Sequence, residues 1–107
     1  MAVILPDWRH ADVHVRDRRG RTDRPRETDI DPEWANEAYC DPEAVWFTPD
    51  PKGRKGMSNR TIGWSETAGF VITVITVPDP DGSGFVWGAS AWRSNPTDVA
   101  VYESREY

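Results

Sequence analysis

The alternation of apolar and polar positions is clearest in the second half of the chain. Residues 60–92 read as three strands joined by two turns, RTIGWSETAGFVITVITVPDPDGSGFVWGASAW. A first strand at 60–65 turns over residues 66–69 into a second at 70–77. The run FVITVITV places apolar, β-branched residues on both faces, which predicts the centre of a sheet. PDPDGSG is a hairpin loop, and FVWGASAW at 85–92 returns antiparallel. The small residues Gly88, Ala89, Ser90 and Ala91 in that strand let another part of the chain pack close. Asn95 then caps a short closing helix with Pro96 at its first position, and Val99 and Tyr102 face inward at a spacing of three.

The first half is less regular. A helix is predicted from Asp31, a good N-cap, followed by Pro32 and by Glu33 at the positive end of the dipole. Trp34, Ala35, Ala38 and Tyr39 share one of its faces, Ile30 can staple back onto Ala35, and Asp41-Pro42 stops it. AVWFT at 44–48 is a short strand and 49–59 a loop rich in Pro, Gly and cations. Residues 1–7 read as a frayed end or short edge strand. Residues 8–16 fit helix and strand alike, and 17–29, without one apolar residue, form a solvated loop. The expectation is one α+β domain over 1–107, with an antiparallel sheet of three to four strands flanked by two to three short helices. Mobility is expected only in 1–7 and 17–29.

Composition narrows the function classes. A chain of 107 residues holds one modest core. Apolar content of 37% is low and aromatic content of 11%, with six Trp, is high, so few large rings should carry much of the packing. The single cysteine, Cys40, precludes an internal disulfide and fits a reducing compartment. MAVILPDW has no charged leader region and no stretch approaches a membrane span, which gives a cytoplasmic expectation with no membrane partner. The net charge of −5 argues against general nucleic-acid binding. Yet eleven of thirteen Lys and Arg lie in residues 1–60, and between Arg9 and Arg26 seven Arg outnumber three Asp.

Several groups carry candidate chemistry. His10 and His14, four apart, share a face on a helix or a strand. They suit a metal pair, acid–base work by one imidazole, or plain surface polarity; no HExxH glutamate and no second cysteine complete a metal set. Arg16, Arg18, Arg19, Arg21, Arg24 and Arg26 form either a solvated charge run or a phosphate-contact strip. Lys52, Gly53, Arg54, Lys55 and Gly56 resemble a phosphate loop in composition but lack its G-x-x-x-x-G-K-[ST] pattern. Arg60 opens the first long strand, Arg93 follows the last, and Arg105 lies near the end of the closing helix. These arginines converge if the strand ends match. Cations gathered beside a histidine are what metal-free RNA cleavage needs: a base for the 2′-OH, cations for the charge on phosphorus, and an acid for the leaving oxygen. Trp46, Trp64, Trp87, Trp92 and Tyr102 offer a base-stacking platform or core, and core is expected for at least three of them.

The order of these features resembles the BrnT-type toxins of bacterial type II toxin–antitoxin systems, which share the RelE-like ribonuclease fold. Four pieces carry the resemblance: HVRDRR; DPEWANEAYCDPEAV; RTIGWSETAGFVITVITV; and WGASAWRSNPTDVAVYESREY, over roughly residues 10–105. The resemblance implies a metal-independent endoribonuclease, without cofactor, that arrests growth until bound by its antitoxin. His14 would act as base or acid, Arg60 and Arg93 would stabilise the phosphorane, and Tyr102 would position substrate or donate a proton. Arg16, Arg18, Arg19, Lys52, Arg54 and Lys55 would contact RNA. Operator DNA would be bound only through the antitoxin complex. The chain departs from the family in its arginine-rich insertion after His14, in Ala91-Trp92-Arg93 where Ser-Ala-Arg is usual, and in its acidic charge. Those departures motivate an alternative, a non-catalytic protein-binding module on the same fold. A metal-dependent enzyme using His10 and His14 is a third reading.

Overall fold

The computed structural model describes residues 5–8, 30–53, 56–78 and 86–104. Helix α1 spans Pro32–Tyr39 and begins as its sequence dictates. The Asp31 carboxylate accepts from the Glu33 N–H at 2.9 Å, and Pro32, which has no N–H to leave unpaired, fills the first turn. Strands β1 (Val45–Phe47), β2 (Asn59–Ser65), β3 (Phe70–Pro78) and β4 (Val86–Arg93) follow, and α2 (Pro96–Glu103) closes the chain behind its Asn95 cap. The sheet order is β1-β2-β3-β4 with every pair antiparallel. The expected α+β class, strand number and closing helix are present. Readings made for 8–16 and 17–29 concern stretches almost wholly outside the described residues. Of the first segment, Asp7 bridges in parallel to Trp87, exchanging bonds with the Val86 carbonyl and the Gly88 N–H.

Each helix covers one face of the sheet. On the first face α1 packs Ala35, Ala38 and Tyr39 against Ile72, Val74 and Ala91, joined by Trp8 and Ile30. On the second, Tyr102 of α2 meets Ile62 and Val71. The staple expected between Ile30 and the helix is in place, since both Ile30 and Ala35 are fully buried in one cluster. The fully buried core is aliphatic (Ile30, Ile62, Ile72, Val74), each such side chain stabilising by roughly 1.5–3 kcal/mol. The expectation that at least three of the five named rings form the core is therefore corrected. Only Tyr102 is buried; Trp87 and Trp92 are half-buried, and Trp46 and Trp64 are 45% and 39% exposed. Trp46 stands on the edge strand and Trp64 near the end of β2, where no second layer reaches them fully.

Two glycines allow the layers to approach. A Cβ at Gly63 would run into the carbonyl of Ala38, so α1 rests directly on the β2 backbone. A Cβ at Gly88 would strike the Trp8 ring, the close packing anticipated from the small-residue run in β4. That run also contains a register shift. Thr76 pairs with Gly88 but Ile75 with Ser90, leaving Ala89 as an extra residue. The side-chain period in a strand is two, so one extra residue transposes the faces of everything beyond it. With the bulge, Trp92 stands opposite Thr73 and Arg93 opposite Ile72. Continued without it, the same pairing would set Arg93 opposite Val71, on the other face.

Candidate functional site

Arg60 occupies the second face, opposite Phe47 on β1 and Ile75 on β3. It is only 6% exposed, and two buried aspartates enclose it. Its Nε donates to Asp50 Oδ1 at 2.9 Å, its Nη2 to Asp50 Oδ2 at 3.5 Å, and its Nη1 to Asp98 Oδ2 at 3.0 Å. The Trp92 ring lies 5.5 Å from the guanidinium carbon, within cation–π range. Asp50 comes from the β1–β2 loop and also accepts from the Lys52 N–H at 3.0 Å. Asp98 comes from the first turn of α2 and also accepts from Thr73 Oγ1 at 2.9 Å, which in turn bonds Ser94 Oγ at 2.7 Å. One cation and two carboxylates thus sit together beneath the surface and tie loop, sheet and closing helix to one another.

This arrangement does not bring Arg60 and Arg93 together. Ile72 and Ile75 are three apart on β3, so their partners Arg93 and Arg60 lie on opposite faces of the sheet. Arg93 is exposed and stacks its guanidinium 4.8 Å from the Phe70 ring centre on the α1 side. Tyr102 is buried and donates its hydroxyl to Asp41 Oδ2 at 2.6 Å. Lys52 is exposed. His14, Arg16, Arg18, Arg19, Arg54 and Lys55 lie outside the described residues, as do His10 and Arg105. Among the described residues no three His, Cys, Asp or Glu side chains gather as a metal site requires, and no helix there is long and apolar enough to cross a membrane.

A second feature was not anticipated from the sequence. A cleft of about 270 Å³ opens between the end of α1 and the β2–β3 turn, lined by Glu37, Cys40, Asp41, Pro42, Trp64 and Glu66. Its walls are fixed by carboxylates. Glu37 accepts from Ser65 Oγ at 2.6 Å, Thr67 Oγ1 at 2.6 Å and the Thr67 N–H at 3.0 Å. Asp41 accepts from the Trp64 N–H at 2.8 Å, besides Tyr102, and its other oxygen from the Glu43 N–H at 2.9 Å. The sequence signal for Asp41 was its place as the last residue before the helix-stopping proline. The signal for Asp98 was its place three residues after the Asn95 cap, where an acid commonly reaches back to the cap; here it turns inward to Arg60.

These bonds set a pH dependence. The Ser65 hydroxyl, followed by the hydroxyl and N–H of Thr67, holds the Glu37 carboxyl below its ordinary 4.5. Burial pushes Asp50 up, but the Arg60 and Lys52 N–H bonds and both nearby cations more than offset it, and the net direction is down from 3.8. For a carboxyl depressed by folding, the stabilisation is complete above its unfolded value and disappears as pH falls through its folded one. The urea midpoint should accordingly be flat near neutrality and fall below about pH 4. Glu37→Gln should flatten the Glu37 share of that fall. A midpoint that rises on acidification would contradict the assignment.

Compared with protein-family models, curated proteins and solved structures, the chain matches none.

Proposed function

We propose that this chain is a non-catalytic protein-binding module on a small α+β frame. The observation that carries the reading is the enclosure of Arg60. Each of its guanidinium nitrogens already donates to an aspartate, and a phosphate would have to displace two buried carboxylates from a cluster whose summed formal charge is negative. Electrostatic catalysis requires donors aimed at the place where charge develops, and these donors are aimed at Asp50 and Asp98. Tyr102 is likewise engaged with Asp41. The exposed rings of Trp46, on the α1 side, and Trp64, opposite Val71 on the α2 side, lie on different faces of a chain of net charge −5, and each offers an apolar anchor with an acidic surround for protein recognition.

The resemblance to BrnT-type toxins supplies the second reading, a ribonuclease held by an antitoxin. It is favoured by the order of elements, a helix, three long antiparallel strands and a short closing helix. A growth assay separates the two. Induced alone in a bacterial host at good soluble expression, the chain is expected to leave growth unchanged. Growth arrest relieved by His14→Ala, with that variant folding as well as its parent, would overturn the module reading in favour of the ribonuclease. Arg60→Ala cannot serve as the catalytic control, because it removes the buried cation on which two aspartates depend.

A further inference from the structure

We infer that the β1 edge of the sheet pairs with the same edge of a second copy of this chain, joining two four-stranded sheets into one. The inference goes beyond the binding-module reading and does not depend on it. It starts from backbone groups that the fold leaves unpaired. β1 borders β2 on one side, and among the described residues nothing hydrogen-bonds to its outer side. A strand turns its N–H and C=O groups alternately to its two neighbours, so the outer side of Val45–Phe47 presents donors and acceptors at the spacing another strand fills. The far edge of the sheet differs, because Asp7 already exchanges bonds with β4 at Val86 and Gly88. The devices that commonly guard an edge are also missing from β1: Val45, Trp46 and Phe47 include no charge and no proline. Trp46 is 45% exposed, with the Tyr39 ring against it at 4.8 Å between ring centres.

The segment complements itself, which is why the occupant is a second copy. Antiparallel pairing about a two-fold axis at Trp46 sets that residue opposite the second copy's Trp46. Val45 then faces Phe47, Ala44 faces Thr48 and Glu43 faces Pro49, so no charge meets a like charge. Directly opposite residues share a face of the sheet. The two indoles therefore meet on the α1 side, each backed by its own Tyr39. On the α2 side the Val45–Phe47 pairs extend the apolar cluster of Ile62, Val71 and Tyr102, against which both residues already pack. Pro42 and Pro49 bound the pairing to a few residues, since proline cannot donate to a ladder. Because each copy uses the same edge, the pairing closes on a dimer and does not propagate. So short a seam implies weak association.

The test is sedimentation velocity of the full chain over a concentration series from about 10 μM to about 1 mM, with amide NMR shifts read over the same series. The inference expects a monomer–dimer equilibrium with a Kd between about 0.1 and about 1 mM, as for an interface below the standard size. The shifts should centre on β1, Tyr39 and the β1 partners in β2. Raising the salt from about 20 to about 200 mM should tighten the dimer about twofold, because two chains of net charge −5 repel each other. Trp46→Lys, which sets two ammonium groups opposite each other at the axis, should weaken it about tenfold. Trp46→Thr, neutral and still a good strand former, should weaken it about threefold through loss of the ring pair alone. A chain that stays monomeric throughout the series, a dimer whose shifts map away from β1, assembly beyond the dimer, or association that weakens with salt would each overturn the inference. The growth assay is indifferent to all four, so either proposal can fail alone.

Discussion

Replacing Arg60 with alanine is expected to cost about 3–5 kcal/mol of folding stability, the penalty for leaving buried carboxylates without their cation. Against the roughly 5–15 kcal/mol available to a domain of this kind, that is enough to leave much of the chain unfolded at physiological temperature. The size follows from the surroundings. Asp50 and Asp98 are 6% and 4% exposed, so water cannot replace the guanidinium without the loop or α2 moving away. Urea unfolding of Arg60→Ala, Arg60→Lys and Arg60→Ala/Asp50→Asn/Asp98→Asn gives the test. Lysine should recover part of the loss, as a point charge that cannot reproduce the fork to both partners. Neutralising both aspartates should recover more. A loss below about 0.5 kcal/mol for the single alanine would be the behaviour of a surface residue, and would contradict the enclosure.

The second large effect is expected at Gly63. Alanine there places a methyl group against the carbonyl of Ala38, and the next nearest atoms, the carbonyl carbon and Cα of Ala38, are backbone too. No side chain can swing aside, so either α1 lifts from the sheet or β2 bends. Overpacking of this kind costs about 3 kcal/mol, and because α1 carries the Ala35, Ala38 and Tyr39 contacts the loss should be cooperative. Gly69 offers the contrast. It has a φ of +77° and open space around it, so alanine there should cost only about 1 kcal/mol, from backbone strain alone. Equal losses at the two sites would show that close helix–sheet contact is not what Gly63 provides.

The contrast between these positions shows which parts of the fold the sequence discloses. Caps and periodicity are local signals, so Asp31-Pro32, Asn95-Pro96 and the aliphatic run of β3 were legible without coordinates. The closeness of α1 to β2 was less so, because a lone glycine in a strand says that something approaches but not what. The separation of Arg60 from Arg93, and the enclosure of Arg60, were not legible in the sequence for two physical reasons. An arginine at the start of a strand displays its donors in the sequence, whereas the acceptors that satisfy it stand ten positions before and thirty-eight after, at Asp50 and Asp98. The convergence of Arg60 with Arg93 depended on a register that one extra residue transposes. Nothing in GASAW marks where the bulge falls, yet it decides that Trp92, and not Arg93, stands on the face of Arg60. The cleft shows the same limitation: Glu37, Asp41 and Trp64 are ordinary surface residues in one dimension, and they become one feature only when the end of α1 meets the β2–β3 turn.

The most direct test of the central claim, that Arg60 serves the fold and is closed to substrate, is the side-chain Nε–H resonance of Arg60 in the intact chain, followed as a short single-stranded RNA is added. A guanidinium held by Asp50 and Asp98 should give a signal protected from solvent exchange at neutral pH and unmoved by RNA. A signal lost to rapid exchange, or one that shifts saturably as RNA is added, would contradict the account and return Arg60 to the chemistry of phosphate.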